Sequence, residues 1–477
     1  ELRVAMTGVE KSLLEGEDDA LPLPSPLLGT RHLVLLVALF AMTAARSNDL
    51  SFTFTIICMA GNGTSQSSIR GVSLSPREAS LSFAGAGVGA LLACLAIAWL
   101  LNRAGGRLIF PVVLCISAAA TSALPSFAHT GLTALLPLRF AQGIAVAGVM
   151  PMIGFISASW APLSEIGTFV TILSAAGQLS HILTMPLSAG LCVHVGWPWT
   201  YYVHATIALL AAATFLFFFR NSPESHPFIT PAELAHIQKD DEHRRHRKNM
   251  KVPYMKIALT PSVWAVWVAF FGNAVGFQLV SQFMPTYLHG VLGVPISHTG
   301  FSAIIPPCSQ LVVKVLAGFA SDRILCVSER RKLQLFNSLA LAGCGFWLLP
   351  IGWLAPSSAG IAVFCFTASI SSLALVTVGS MKSVTLVARQ FSHIVMGVVQ
   401  FVICLGMLGV PLLVTSLAPS NTQEEWRVVF SVACLILLLS NFFFCWNCES
   451  VAAAFTRSDP LSNPQDAKDP AKSLLKP

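Results

Sequence analysis

Apolar residues in this chain do not line one face of each segment. They run on for about 20 residues at a time and stop at short polar breaks, the length a helix needs to cross a hydrocarbon core at about 1.5 Å of rise per residue. Twelve such runs are read, at 33–59, 81–101, 108–127, 132–157, 167–195, 198–219, 263–285, 301–320, 333–353, 360–381, 391–418 and 427–446. Backbone N–H and C=O groups at that depth find no water, so each run is predicted to be an α-helix that satisfies its own hydrogen bonds. The expected fold is an all-α membrane protein of twelve transmembrane helices.

One long hydrophilic segment breaks the rhythm. It divides the chain into a tail at 1–32, a six-helix bundle at 33–220, a connector at 221–260, a second six-helix bundle at 261–447 and a tail at 448–477. In the connector, Thr230-Pro231-Ala232-Glu233 has capping-box spacing with proline at the first helical position, which predicts a short surface helix. It leads into His243-Arg244-Arg245-His246-Arg247-Lys248, read as a solvated basic loop against anionic lipid headgroups.

Composition agrees with the pattern. The chain is 54% hydrophobic and 11% charged, where soluble domains carry about 25% charged residues. A net charge of +7 would suit nucleic acid, but the basic residues are spread over short loops between apolar runs, so none is expected. With both termini placed in the cytoplasm, roughly 23 of 29 Lys and Arg fall inside. Only Arg70, Arg77 and Arg427 fall outside, while Arg46, Arg139 and Lys314 lie within spans. The Asn62-Gly63-Thr64 glycosylation acceptor falls in the first outer loop, which agrees with that orientation. The sequence leaves plasma membrane and vesicular or lysosomal membrane both open.

Most of the twelve cysteines, Cys58, Cys94, Cys192 and Cys404 among them, sit inside apolar runs and read as small packing residues. Gly85, Gly87 and Gly89 likewise read as close helix packing. No metal-ligand spacing, nucleophile–base constellation or phosphate loop is visible. No cofactor or metal is therefore expected, and the chain does not read as an enzyme.

The two halves echo each other. Ala98-Trp99-Leu100-Leu101-Asn102-Arg103-Ala104-Gly105-Gly106-Arg107 follows the second span, and Gly318-Phe319-Ala320-Ser321-Asp322-Arg323 follows the eighth, 220 residues later. A small residue, three spacers and Asp/Asn-Arg at matching places resembles the signature of the major facilitator superfamily. That likeness implies a gating role for Asn102, Arg103, Gly318, Asp322 and Arg323: small residues for close helix approach, charges to tie the inner helix ends together.

A narrower resemblance is to the anion:cation symporter family, which contains sialin, vesicular glutamate transporters and sodium/phosphate cotransporters. It rests on Arg139-Phe-Ala-Gln-Gly143, Trp160-Ala161-Pro162, Met185-Pro186-Leu187, Gly196-Trp197, His226-Pro227, Pro285-Thr286-Tyr287 and Glu425-Trp426. The family's first-span arginine matches Arg46, with Asn48 two residues on, and its fourth-span arginine matches Arg139. The resemblance implies that this pair binds an anion, since a guanidinium stays charged and donates two parallel hydrogen bonds. Asp49 stands three residues from Arg46, where it reads as a helix-face ion-pair partner.

The coupling residues depart from the family. The two glutamates that sialin-like members carry just after the fourth-span arginine are Gln142 and Val146 here. The second-span histidine of glutamate-type members is Phe83, and their seventh-span arginine is Asn273, which is nearer the sialin-like pattern. Asp49, His181 and His393 are the remaining titratable candidates for coupling. Lys314, two turns from the inner end of its span, is expected to snorkel to the cytoplasm.

The expectation is a monomeric secondary transporter of a small organic or inorganic anion, driven by a proton or sodium ion through alternating access. Arg46, Arg139, Asn48 and Asn273 would meet the substrate. The alternative, raised by the missing glutamates, is a non-transporting receptor or scaffold on the same fold.

Overall fold

The computed structural model describes residues 29–60, 74–162, 165–238, 253–323, 327–355, 358–388 and 391–456. Twelve of its helices are long and apolar enough to cross a membrane. The first six spans are Thr30–Ala60, Pro76–Ala104, Gly106–Phe127, Leu132–Trp160, the two-part Ile166–Ser174 and Ala176–His194, and Trp197–Phe218. The last six are Pro261–Gly290, the two-part Ile296–Ser302 and Ile305–Arg323, Glu329–Leu348, the two-part Ala359–Leu373 and Ser380–Ala388, Ser392–Leu417, and Gln423–Asn447.

Helix pairing repeats with a period of six. The second span packs on the fourth, the third on the sixth and the first on the fifth and sixth. Correspondingly, the eighth packs on the tenth, the ninth on the twelfth and the seventh on the eleventh and twelfth. The chain is therefore two pseudo-symmetric six-helix bundles. They meet through the second and eleventh, fifth and eighth, and first and seventh spans. Below, "inner" denotes the end that the charge bias assigns to the cytoplasm.

Glycine sets the closest contacts. A Cβ on Gly89 would stand 2.1 Å from the Phe140 carbonyl oxygen, and one on Gly143 would stand 2.0 Å from that of Ala86, so the second and fourth spans touch backbone to backbone. In a bilayer such contact replaces the missing hydrophobic drive between helices. Gly87 faces the other way, where a Cβ would stand 2.7 Å from Leu408 of the eleventh span, across the two halves. Gly89→Val is therefore expected to prevent folding. Gly87→Val should give a folded protein whose halves separate along this seam, read as increased labelling of cysteines introduced between the second and eleventh spans.

The helix ends differ from the sequence reading for local reasons. The second span starts at Pro76 because Ser75 and Glu78 form a capping box, and the twelfth at Gln423 because Thr422 and Glu425 form another. Both first turns are polar and escape a hydropathy criterion. The eighth span is broken between Ser302 and Ile305, just before Pro306 and Pro307; prolines fit a helix start and fail in its interior.

One expectation about cysteine is corrected. Cys58, at the outer end of the first span, and Cys192, at that of the fifth, form a disulfide. Both lie in apolar runs 134 residues apart, and sequence alone gives no pairing. The bond staples two helices of one bundle at the end assigned to the oxidising side. Cys58→Ala with Cys192→Ala should cost about 2–4 kcal/mol. A lowered melting temperature in the variant, reproduced by reductant in the wild type, would show it.

At the inner end the connector folds back on the first half. The helix Pro231–Gln238 forms as expected, with Thr230 accepting from the Glu233 N–H at 3.3 Å. The buried Glu233 carboxylate, however, caps another helix: it accepts from the N–H groups of Thr30 and Arg31 at 3.1 and 2.9 Å. Arg31 in turn reaches Glu165 at 3.0 Å. A carboxylate at a helix start meets free N–H groups and the positive end of the dipole. His226 packs edge-on to Trp160 and meets the Phe218 carbonyl at 3.0 Å; burial holds its imidazole below the usual histidine range. The basic stretch 243–248 and Asn62 lie outside the described residues.

Candidate substrate site between the bundles

The two arginines in the spans have opposite surroundings. Arg139, two turns into the fourth span, is wholly buried and committed. Its Nη2 donates to Asp49 Oδ1 at 2.8 Å and its Nε to the Ser82 carbonyl at 3.2 Å. Its Nη1 donates to the Asp49 carbonyl at 3.2 Å and to Gln142 Oε1. The guanidinium also lies over the ring of Phe52 at 4.5 Å, with Phe83 at 5.9 Å.

Gln142 extends this hub. Its Nε2 donates to the Asn48 carbonyl at 3.1 Å and to Thr121 Oγ1 at 2.8 Å. Asn48 donates to Ser117 Oγ at 3.1 Å and is fully buried, so it sits inside the first bundle. Asp49, which the sequence places beside Arg46, is thus the ion-pair partner of Arg139. Gln142, at a position where the resembled sialin-like sequences carry a glutamate, is neutral, and the carboxylate on Arg139 comes from the first span instead. Only helix rotation decides between the two arginines, and no sequence pattern reports it.

Arg46 is different. It lies midway along the first span, half-buried, and among the described residues it forms no hydrogen bond and no ion pair within 4 Å. Its charge is felt by Asp49, His181 and Cys404 of the eleventh span. A guanidinium held at that depth without a partner is costly in hydrocarbon, by at least ~2.5 kcal/mol.

His181, which the charge of Arg46 reaches, lines a small cavity of about 20 Å³ between the fifth span and the seventh, eighth and tenth. Its polar lining is His181, Ser281 and Gln310. His181 holds the Gly177 carbonyl at 2.8 Å through Nδ1, leaving Nε2 buried without a partner; Ser281 Oγ is likewise unpartnered. Asn273 is half-buried one helical turn inward of Phe277, on the stripe of the seventh span that lines the cavity. Hydropathy could not single out Ser281 or Gln310, since neither is charged.

The outer end above this region is closed. Phe83 packs on Phe52 and, across the halves, on Phe283, each at 5.3 Å between centroids. Phe283 continues to Trp426 at 5.9 Å. Gly300 of the eighth span seats against Ala189 and Met185 of the fifth. Deeper in, Gln178 meets Gln310 at 3.0 Å, and Lys314 donates to Ser174 of the opposite bundle at 2.8 Å instead of snorkelling away.

The paired loop motifs are placed unequally. Arg107 ties the third span to the end of the sixth, its N–H to Asn221 Oδ1 at 2.9 Å and its Nε to the Leu216 carbonyl at 3.2 Å. Gly105, at φ 79°, leaves no room for a Cβ against Asn221. Arg103 lies over the Trp99 ring at 5.3 Å. Arg323, at the end of the eighth span, is exposed. Gly318, expected to admit a neighbouring helix, faces open space: an added Cβ would meet no described atom within 4 Å. The side chains of Asn102, Asp322 and His393 lie outside the described ones.

A family model for the Major Facilitator Superfamily matches residues 33–411. The chain belongs to the major facilitator superfamily. Among superfamily relatives, it is 26% identical to sialin of Ovis aries over 347 residues, covering 72% of this chain and 70% of sialin. It is 25% identical over 452 residues to the uncharacterized transporter slc-17.2 of Caenorhabditis elegans, covering 88% and 91%. Vesicular glutamate transporter 2 of Homo sapiens matches at 22%, covering 71% and 59%. These are the anion:cation relatives to which the sequence motifs pointed. In fold, the chain is similar to a bacterial homolog of the human lysosomal transporter Spinster (TM-score 0.65, 15% identity, 87% and 96% covered). It is also similar to the xylose transporter XylE from E. coli (TM-score 0.63, 16% identity, 86% and 95% covered). The protein is a multi-pass membrane transporter of this superfamily, and its relatives are transporters, not enzymes.

Proposed function

We propose that this transporter carries an anion across the membrane by alternating access, with Arg46 as its anion anchor and a proton as its driving cation. One observation supports this most: of the two intramembrane arginines, Arg46 alone has no hydrogen bond or ion pair among the described residues, and its charge reaches His181, whose Nε2 is unpartnered in the wall of the small cavity. A charge kept at that cost needs a counter-ion, and an arriving carboxylate or phosphate supplies one. Alternating access would follow from rocking of the two bundles about this centre.

The Asp49–Arg139 hub is the proposed coupling device. Asp49 is a buried carboxylate, and its partner Arg139 lies against the two phenylalanines that close the outer end. Protonation of Asp49 would remove the charge that holds Arg139 and loosen the rings above it. His181, with its free Nε2, is a second place where a proton could reside, and Asn273 a second contact for the cargo. Both termini would lie in the cytoplasm, as the loop charges favour.

The test is uptake into proteoliposomes of a labelled anion panel under imposed proton or sodium gradients. Proton-driven accumulation of at least one anion is expected. Asp49→Asn keeps a hydrogen-bond acceptor for Arg139 and cannot titrate but leaves the arginine's charge unpaired, so at matched folded amount it should be less stable, retain anion exchange and lose proton-driven accumulation. Sodium-driven uptake, or unimpaired proton-driven uptake by Asp49→Asn, would contradict the assignment. Specific anion binding with no flux under any gradient would favour a receptor.

A further inference from the structure

Resting on that transport reading, we propose that Lys314 of the eighth span is a second holding point for the anion, which meets its ammonium after leaving Arg46 for the inner side.

Of Arg46, Arg139 and Lys314, Arg139 has a carboxylate partner, and the other two have none within 4 Å among the described residues. Lys314 is half-buried well inside the eighth span, which ends at Arg323. Instead of reaching for the headgroups it crosses the seam between the bundles, where Nζ donates to Ser174 Oγ of the fifth span at 2.8 Å. That bond accounts for a donor at this position but not for a charge. A neutral side chain would tie the two helices at lower cost, because one hydroxyl does little to offset an ammonium taken out of water.

The seam around this bond leads back to Arg46. Ser174, Gln178 and His181 follow one another at helical spacing on the fifth span, and Lys314 and Gln310 do so on the eighth. Gln178 Nε2 donates to Gln310 Oε1 at 3.0 Å, one turn outward of the Ser174–Lys314 bond. One turn further out His181 lines the small cavity with Gln310, and the charge of Arg46 reaches His181. About 10 Å of helix separates His181 from Ser174.

This seam is shut in the structure. Both hydrogen bonds join one bundle to the other, so both must break when the fifth and eighth spans part at their inner ends. Parting frees all three N–H donors of Lys314, and a carboxylate or phosphate coming from Arg46 takes the place of the serine. An ammonium suits this step. It is a point charge on a flexible stem, without the planar fork by which a guanidinium fixes an anion's orientation. Arg46 orients the anion, and Lys314 receives it and lets it go.

The test is exchange of radiolabelled inorganic phosphate, lactate, gluconate and benzoate in proteoliposomes sorted for one orientation, with KM measured separately at each face. No gradient is imposed, so proton coupling does not enter. Lys314→Gln keeps a donor for Ser174 and loses the charge. It should raise the inner KM at least about tenfold and leave the outer KM unchanged, and Lys314→Arg should restore the inner value. Ser174→Ala breaks the tie but spares the ammonium, so its inner KM should match the wild type. Ser174→Asp gives Lys314 a standing counter-ion and should raise the inner KM without removing the lysine. An unchanged inner KM in Lys314→Gln or in Ser174→Asp would overturn the holding point. So would an equal rise at both faces, or a rise reproduced by Ser174→Ala, which would make Lys314 a structural tie. In each of those cases exchange that still needs Arg46 leaves the anion reading intact. If the wild type exchanges none of the probes, both readings fall together.

Discussion

Replacing Arg139 with leucine should leave a protein that does not fold, while the reciprocal double replacement Asp49→Leu with Arg139→Leu recovers much of the lost stability. The guanidinium is wholly buried, and its bonds run to Asp49, Gln142 and the Ser82 carbonyl. Removing it strands a carboxylate in the interior of the bundle, and an uncompensated buried charge costs about 3–5 kcal/mol. That is a large share of the ~5–15 kcal/mol by which folded domains are commonly stable. Removing both charges removes the penalty, and apolar replacements of similar volume are often neutral. Monodispersity and melting temperature of detergent-solubilised protein report the outcome. Equal loss in the single and double variants would mean that the fold depends on the arginine's other bonds and not on the ion pair.

Arg46→Gln should do the opposite: fold like the wild type and fail to hold the anion. Among the described residues Arg46 forms no ion pair that its removal would break, and replacing an unpaired intramembrane charge with a neutral side chain lowers the cost of insertion. Its proposed partner is the ligand. Truncating one member of a buried charge pair costs about 2–5 kcal/mol of binding, which corresponds to roughly 30- to 5,000-fold in affinity. Arg46→Lys keeps the charge but not the planar fork, so it should retain only part of the affinity. A melting temperature several degrees below wild type for Arg46→Gln would place this residue in the structural network instead.

Much of the fold was legible because the bilayer dictates it. Span number follows from the length of apolar runs, and the two halves from repeated motifs and one hydrophilic connector. Finer features depend on forces that hydropathy does not weigh. Polar capping turns at Ser75–Glu78 and Thr422–Glu425 extend two spans beyond their apolar cores. The break before Pro306 and Pro307 had a visible signal, since adjacent prolines rarely continue a helix. The Cys58–Cys192 bond had none.

The site was half legible. Charged residues inside a span stand out, so Arg46 and Arg139 could be found. Their roles depend on which way each helix is turned. Asp49, three residues from Arg46, faces the fourth span. Gln142, where the resembled sialin-like sequences have a glutamate, accepts from the same arginine through a neutral oxygen. The cavity wall of Phe277, Val280, Met284 and Ile370 is indistinguishable in sequence from lipid-facing apolar residues.

The central claim is that an anion crosses this protein while held by Arg46. Its most direct measurement is uptake of one confirmed anion into proteoliposomes by wild-type protein and by Arg46→Gln, matched for reconstituted amount and melting temperature. Uptake is expected for the wild type, and none above the empty-liposome background for Arg46→Gln. Undiminished uptake by the folded Arg46→Gln protein would contradict it.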